Sequence, residues 1–78
     1  MYAIVDIETT GGPAYNCGIT EVAILLYDGE KVVERYEQLI HPERSIPSFI
    51  TSLTGIDDEM VADAPVFDEV AERIVRLL

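Results

Sequence analysis

The stretch Tyr2-Ala3-Ile4-Val5-Asp6-Ile7-Glu8-Thr9-Thr10-Gly11 decides the fold and most of the chemistry of this chain. Its apolar part, Tyr2 to Ile7, predicts a strand. Side chains alternate faces along a strand, so residues i and i+2 project together. Asp6 and Glu8 therefore stand side by side where the strand leaves the hydrophobic core. Two anions held that close repel unless something positive sits between them, and a divalent metal ion is the usual solution. Thr9, Thr10 and Gly11 add small hydroxyls and a flexible backbone, which suit the close approach of a ligand. The segment reads as a half-built metal site on a strand edge.

Working outward, Gly11-Gly12-Pro13-Ala14-Tyr15-Asn16-Cys17-Gly18 has loop chemistry. Ile19 to Tyr27 is apolar apart from Thr20 and Glu21, which predicts a strand covered on both faces inside a sheet. Asp28-Gly29 reads as a tight hairpin turn into a third strand, Lys31 to Ile40. The charges of that strand, Glu34, Arg35 and Glu37, suit a sheet edge. Ser45-Ile46-Pro47 predicts a helix start with Pro47 in the first turn, running to Leu53 and stopping at Gly55. Asp57-Asp58-Glu59 opens a second short helix through Ala62, its acids favourable to the helix dipole. Phe67, Val70, Ala71, Ile74, Val75 and Leu78 then form one apolar stripe of a third helix, with Glu69 and Arg73 spaced as an i,i+4 pair. No stop signal follows that stripe, and three strands offer it only part of a sheet face, so the chain is expected to be a fragment of a larger domain.

Composition narrows the class. The chain has 78 residues, 49% of them hydrophobic and 26% charged, which is globular and thinly cored. Its net charge is −10, and its five bases are scattered rather than gathered on a face. A domain gripping phosphates with its own cations would show a basic patch, so any nucleic acid would be met through a metal or through further sequence. The single cysteine, Cys17, excludes an internal disulfide and fits a reducing, cytoplasmic setting. No apolar stretch is long enough to span a membrane, and no basic n-region marks a signal peptide.

The paired carboxylates could serve several chemistries. A glycosidase pair should flank a sugar bond, and neighbours on one strand face fit that poorly. A calcium loop alternates oxygen ligands over about twelve residues, and this stretch supplies two. Two-metal phosphoryl chemistry fits better: an aspartate able to bridge both ions beside a glutamate on one of them. Oxygen-only ligands point to Mg²⁺ or Mn²⁺. Against this stand plain structural readings: a solvated strand end for Asp6 and Glu8, and turn formation for Thr9, Thr10, Gly11 and Gly12. Glu21 interrupts its apolar strand and could support the metal site or bond a nearby loop. His41 is read as structural and Cys17 as an incidental thiol.

Asp6-Ile7-Glu8-Thr9-Thr10-Gly11 resembles the first motif of the DEDD (DnaQ-like) 3′–5′ exonucleases, nearest the branch of the proofreading epsilon subunit of bacterial DNA polymerase III. Ile19-Thr20-Glu21-Val22-Ala23, Leu53-Thr54-Gly55-Ile56, and Asp58-Glu59-Met60 with Ala64-Pro65 and Phe67 continue the resemblance along the chain. It implies an α/β, ribonuclease H-like fold, of which this chain is the N-terminal half: three antiparallel strands followed by helices. It further implies that Asp6 and Glu8 are catalytic metal ligands for two Mg²⁺ or Mn²⁺ ions. Thr9, with the backbone of Thr10 and Gly11, would line a pocket for the terminal nucleotide, and Ile56 would pack beside its base. The implied substrate is single-stranded or frayed 3′-terminal DNA, with a polymerase subunit as a partner. Two later aspartates and a general base of the family have no counterpart here, and Asp57, Asp58, Asp63 and Asp68 lie outside any matching context. The chain alone is therefore expected to be inactive and, with an incomplete sheet, to self-associate. A short-RNA exonuclease on the same site, or a non-catalytic module retaining the fold, are the alternatives.

Overall fold

A computed structural model describes residues 1–12 and 17–78. The strands β1 (Tyr2–Thr9), β2 (Ile19–Tyr27) and β3 (Val32–Leu39) form one antiparallel sheet in the order β1-β2-β3. Helices α1 (Ser48–Thr54), α2 (Asp58–Val61) and α3 (Phe67–Leu77) follow. Three antiparallel strands followed by helices is the arrangement expected from the sequence. β1 continues past Ile7 because Glu8 and Thr9 still pair with Glu21 and Ile19. The loop reading of residues 11–18 falls partly on residues 13–16, which lie outside the described residues.

β2 is central, as its apolar sequence predicts, but the two faces differ. Thr20, Val22 and Ile24 are buried on one face, whereas Glu21, Ala23 and Leu25 on the other are only half covered. The helix that seals the first face is α3. Val70 joins Val22, Ile24 and Ile40 in a buried cluster, with Tyr36, Ile74 and Leu77 packed around it. A second cluster of Ile46, Ile50, Ile56 and Val61 knits α1 and α2 to the end of β3 through Leu39. No β1 side chain belongs to either cluster.

Four local expectations are corrected. The β2–β3 turn spans residues 28–31, so β3 begins at Val32 rather than Lys31 and ends at Leu39 rather than Ile40. The Asp28 carboxylate accepts the N–H groups of Glu30 (2.8 Å) and Lys31 (2.9 Å), which widens the loop. Pro47 is the N-cap of α1 rather than a first-turn residue, and the helix ends as expected at Gly55, whose N–H donates to Thr51 O. The stripe of α3 that meets the core is Val70, which is buried, with Ile74 and Leu77, which are partly buried; Phe67, Val75 and Leu78 stay exposed. The cause is lateral placement, since the helix packs on β2 and β3 and little of the sheet lies under its other flank. Arg73 accordingly lies over the Tyr36 ring at 5.3 Å, and the i,i+4 ion pair falls to Glu72 and Arg76 instead of Glu69 and Arg73. Glu69 instead accepts the Val66 N–H and caps the helix.

No helix among the described residues is long and apolar enough to cross a membrane.

Candidate active site at the end of β1

The register of the sheet sets the carboxylates. Asp6 pairs with Ala23 and Glu8 with Glu21, so Asp6, Glu8 and Glu21 share the face opposite α3. Residues directly opposite in an antiparallel pair have Cβ atoms about 4.5–5.5 Å apart, so Glu8 and Glu21 confront each other as like charges. The ladder shifts between Glu8 and Thr9, leaving Thr20 as the extra residue of β2. Such bulges bend a strand and re-aim neighbouring side chains. Thr20 is 1% exposed, and its hydroxyl has no hydrogen-bond partner among the described residues.

Among the described residues no ion pair offsets this face. The ion pairs among the described residues join Arg35 to Glu37 and Arg76 to Glu72, and neither reaches Asp6, Glu8 or Glu21. Two uncompensated carboxylates fit a hard divalent cation: Mg²⁺ commonly takes one or two carboxylates and completes its shell with water and phosphate oxygens. Among the described residues no three His, Cys, Asp or Glu side chains converge on one point. Glu21 thus faces Glu8 across the ladder without making a third ligand with the pair.

The turn after β1 is closed by its own hydroxyls. Thr9 Oγ1 accepts the Gly11 N–H (3.1 Å), and Thr10 Oγ1 accepts the Gly18 N–H (2.9 Å). Thr10 N–H in return donates to Gly18 O at 2.8 Å. The N–H groups of Thr10 and Gly11 are therefore already engaged, and the turn offers a visitor its carbonyls and the hydroxyl hydrogens. Gly11 has φ +83°. A Cβ there would sit 2.8 Å from Ile50 Cδ1, so the turn rests directly on α1.

Ile56, expected beside a base, is 4% exposed and packs with Ile46, Ile50 and Val61. Its N–H donates to Thr54 Oγ1, fixing the turn after α1. The exposed apolar side chains of this stretch are Phe49 and, at 80% exposure, Leu53. Two of the four acids set aside in the sequence, Asp57 and Asp58, have structural partners. Asp57 caps α2 through the Met60 N–H, and Asp58 accepts the Ile46 N–H. His41 accepts the Glu43 N–H at Nδ1, in keeping with a structural role. A cleft of about 300 Å³ is lined by Cys17, Gly18, His41, Pro42, Arg44 and Phe67 among others, and none of its walls comes from β1. The carboxylates lie on open surface outside it. Gly18 and Pro42 meet across the fold, a partnership that no local sequence pattern signals.

Comparison with known proteins is specific. The family model RNase_T, described as "Exonuclease", matches residues 3–78. A DNA polymerase III PolC-type protein of Caldanaerobacter subterraneus subsp. tengcongensis is 40% identical over 74 residues, covering 95% of this chain and 5% of the relative. The 3′-5′ exonuclease DinG of Bacillus subtilis is 37% identical over 78 residues, covering 99% of this chain and 8% of the relative. Among solved structures, exonuclease X in complex with 5′ overhanging duplex DNA superposes with a TM-score of 0.82 at 32% identity, covering 95% of this chain and 43% of that one. The nuclease domain of 3′hExo, a DEDDh family member bound to rAMP, gives 0.81 at 26% identity, over 96% of this chain and 42% of that one. The chain thus spans less than half the length of each of these proteins. Three antiparallel strands, a carboxylate pair at the end of the first, and a match from residue 3 to residue 78 agree, and the chain belongs to this exonuclease family, with DEDD-type 3′ exonucleases among its structural neighbours.

Proposed function

We propose that residues 1–78 form the first part of an exonuclease domain, and that the complete protein removes nucleotides from 3′ ends of DNA in a reaction that needs divalent metal. The observation that carries this reading is the uncompensated pair Asp6 and Glu8 on one sheet face, with Glu21 opposite. The relatives support it: a PolC-type polymerase, DinG exonucleases and a DNA-bound exonuclease X. The remaining ligands and the general base would come from outside these residues, since the chain spans 43% of the exonuclease X chain. The fragment by itself would therefore turn over little or no substrate.

Asp6 and Glu8 would hold Mg²⁺ or Mn²⁺, which when bound favours the attacking water and stabilises the leaving 3′-oxygen. Thr9, Thr10 and Gly11 would form one wall for the terminal nucleotide. Leu53, exposed on the last turn of α1, would offer its apolar side to the base, while Ile56 supports the turn from the core beneath. The PolC-type relative makes a polymerase a reasonable partner of the whole protein.

The test is 3′ release from a labelled single-stranded oligonucleotide by the complete protein. Cleavage should need Mg²⁺ or Mn²⁺, and Asp6→Asn should reduce it by on the order of 10²–10³-fold, as loss of one charge-stabilising group does. Matched DNA and RNA substrates decide between the two nucleic acids, because solved neighbours include an exonuclease that recognises a histone mRNA stem-loop. Metal-independent cleavage, or activity that survives Asp6→Asn, would overturn the reading.

A further inference from the structure

We propose that Gly18 is a positioning residue for the Thr9–Gly11 turn, and that it acts through its seat on Pro42. The inference rests on the exonuclease reading for its consequence, but its geometry stands independently. Thr10 is buried and is tied to Gly18 by two reciprocal bonds, N–H to O at 2.8 Å and Oγ1 from N–H at 2.9 Å. Wherever Gly18 sits, Thr10 must sit too, and Thr9 and Glu8 follow along the chain.

Gly18 in turn has no freedom. A Cβ on it would lie 2.5 Å from Pro42 O, 2.7 Å from Pro42 Cβ and 3.1 Å from Pro42 Cα. Two of those three atoms are backbone, so no side-chain rotation relieves the clash. Pro42 is buried and its neighbours are anchored on three sides. Ile40 N–H donates to Thr20 O and His41 N–H to Pro65 O, each at 2.8 Å. Glu43 N–H donates to His41 Nδ1 at 2.9 Å. That last bond holds Glu43 at φ +59°, a conformation that costs a residue with a side chain and is kept only where the surroundings enforce it. The turn is thus gripped twice: Gly11 rests on Ile50 of α1, and Gly18 rests on the segment that joins β3 to α1. A displacement of about 1 Å at a reacting centre can cost on the order of 10²-fold in rate. Placement of this turn is therefore part of the site.

The experiment uses the complete protein. Gly18→Ala forces the turn off Pro42. Thr10→Val keeps the shape of the side chain but removes the acceptor for Gly18 N–H, and Thr10→Ser keeps the acceptor. KM and kcat on a 3′-labelled oligonucleotide, melting temperature, and amide exchange at Thr10 and Gly11 are measured for each. Gly18→Ala and Thr10→Val should raise KM about tenfold, the scale of one lost hydrogen bond. Exchange at both amides should accelerate, melting should stay above the assay temperature, and Thr10→Ser should return exchange to wild-type values. Unchanged KM and exchange in both variants, or a Thr10→Ser protein as impaired as Thr10→Val, would overturn the inference. Should Gly18→Ala fail to fold, the Thr10 pair decides. A wild type without nuclease activity refutes the exonuclease reading alone, because the exchange measurement still reports whether Gly18 positions the turn.

Discussion

At the scale of single residues the site is expensive to keep. Glu8 and Glu21 face each other across the β1–β2 ladder, and like charges so placed destabilise a sheet by roughly 0.2–1 kcal/mol. Glu8→Gln and Glu21→Gln should each raise the metal-free unfolding free energy by about that much. The double variant should gain little more than either alone, since one substitution already removes the repulsion. Added Mg²⁺ should stabilise the wild type and do less for Glu8→Gln, which lacks a ligand charge. Thermal unfolding of the four proteins with and without Mg²⁺ tests this, and destabilisation by Glu21→Gln in metal-free buffer would contradict it. The pairing of Asp6 with Glu8 was legible in the sequence because the period of a strand is two and both residues lie on one strand. The confrontation of Glu8 with Glu21 was not, because it depends on register. The seat of Gly18 on Pro42 was hidden for a similar reason: a glycine reads as punctuation until the distant backbone against it is known.

At the scale of elements, local chemistry was read more faithfully than lateral placement. The ends of α1 and α2 follow from Gly55 and Asp57, whose effects act within a few residues. The apolar stripe of α3 is wider in sequence than the part that meets the core, because its position over β2 and β3 is decided by the sheet and not by the helix. The β2–β3 hairpin shows how a side chain enlarges a turn. Bonds from the N–H of Lys31 and of Glu30 hold the Asp28 carboxyl below its ordinary value of 3.8. A carboxylate whose folded pKa is lowered contributes stability that is present above the unfolded value and is lost as pH falls through the folded one. The hairpin should therefore keep its four-residue turn at pH 5 and loosen only below 3.8, with Asp28→Asn removing this acid-dependent component. An NMR titration following the Asp28 carboxyl and the Glu30 and Lys31 amides measures it. Titration of Asp28 at or above 3.8 would show that the two bonds are not maintained in solution.

At the scale of the whole molecule, the conflict lies in β1. Its sequence is apolar on both faces, which is the pattern of a strand buried between layers, yet Tyr2 is 64% exposed, Ile4 54% and Val5 50%. One edge of β1 pairs with β2, and the other edge is unpaired among the described residues. An open, apolar edge strand invites pairing with another chain. Opposing that, each copy of the 78-residue polypeptide carries a net charge of −10. Which effect wins depends on screening, since the Debye length falls from about 10 Å at 0.1 M salt to about 3 Å at 1 M. The isolated polypeptide should therefore sediment as smaller species at low salt and associate in a concentration-dependent way as salt rises. Ala3→Lys, which adds a charge to the exposed edge strand on the face opposite the carboxylate pair, should weaken that association without removing the fold. If β1 drives the contact, its amides should also become protected from exchange on association, while those of β3 change little. A polypeptide that stays monomeric at high salt and high concentration would show that β1 tolerates solvent on both faces, and the reading of its sequence as a layer-covered strand would then fail.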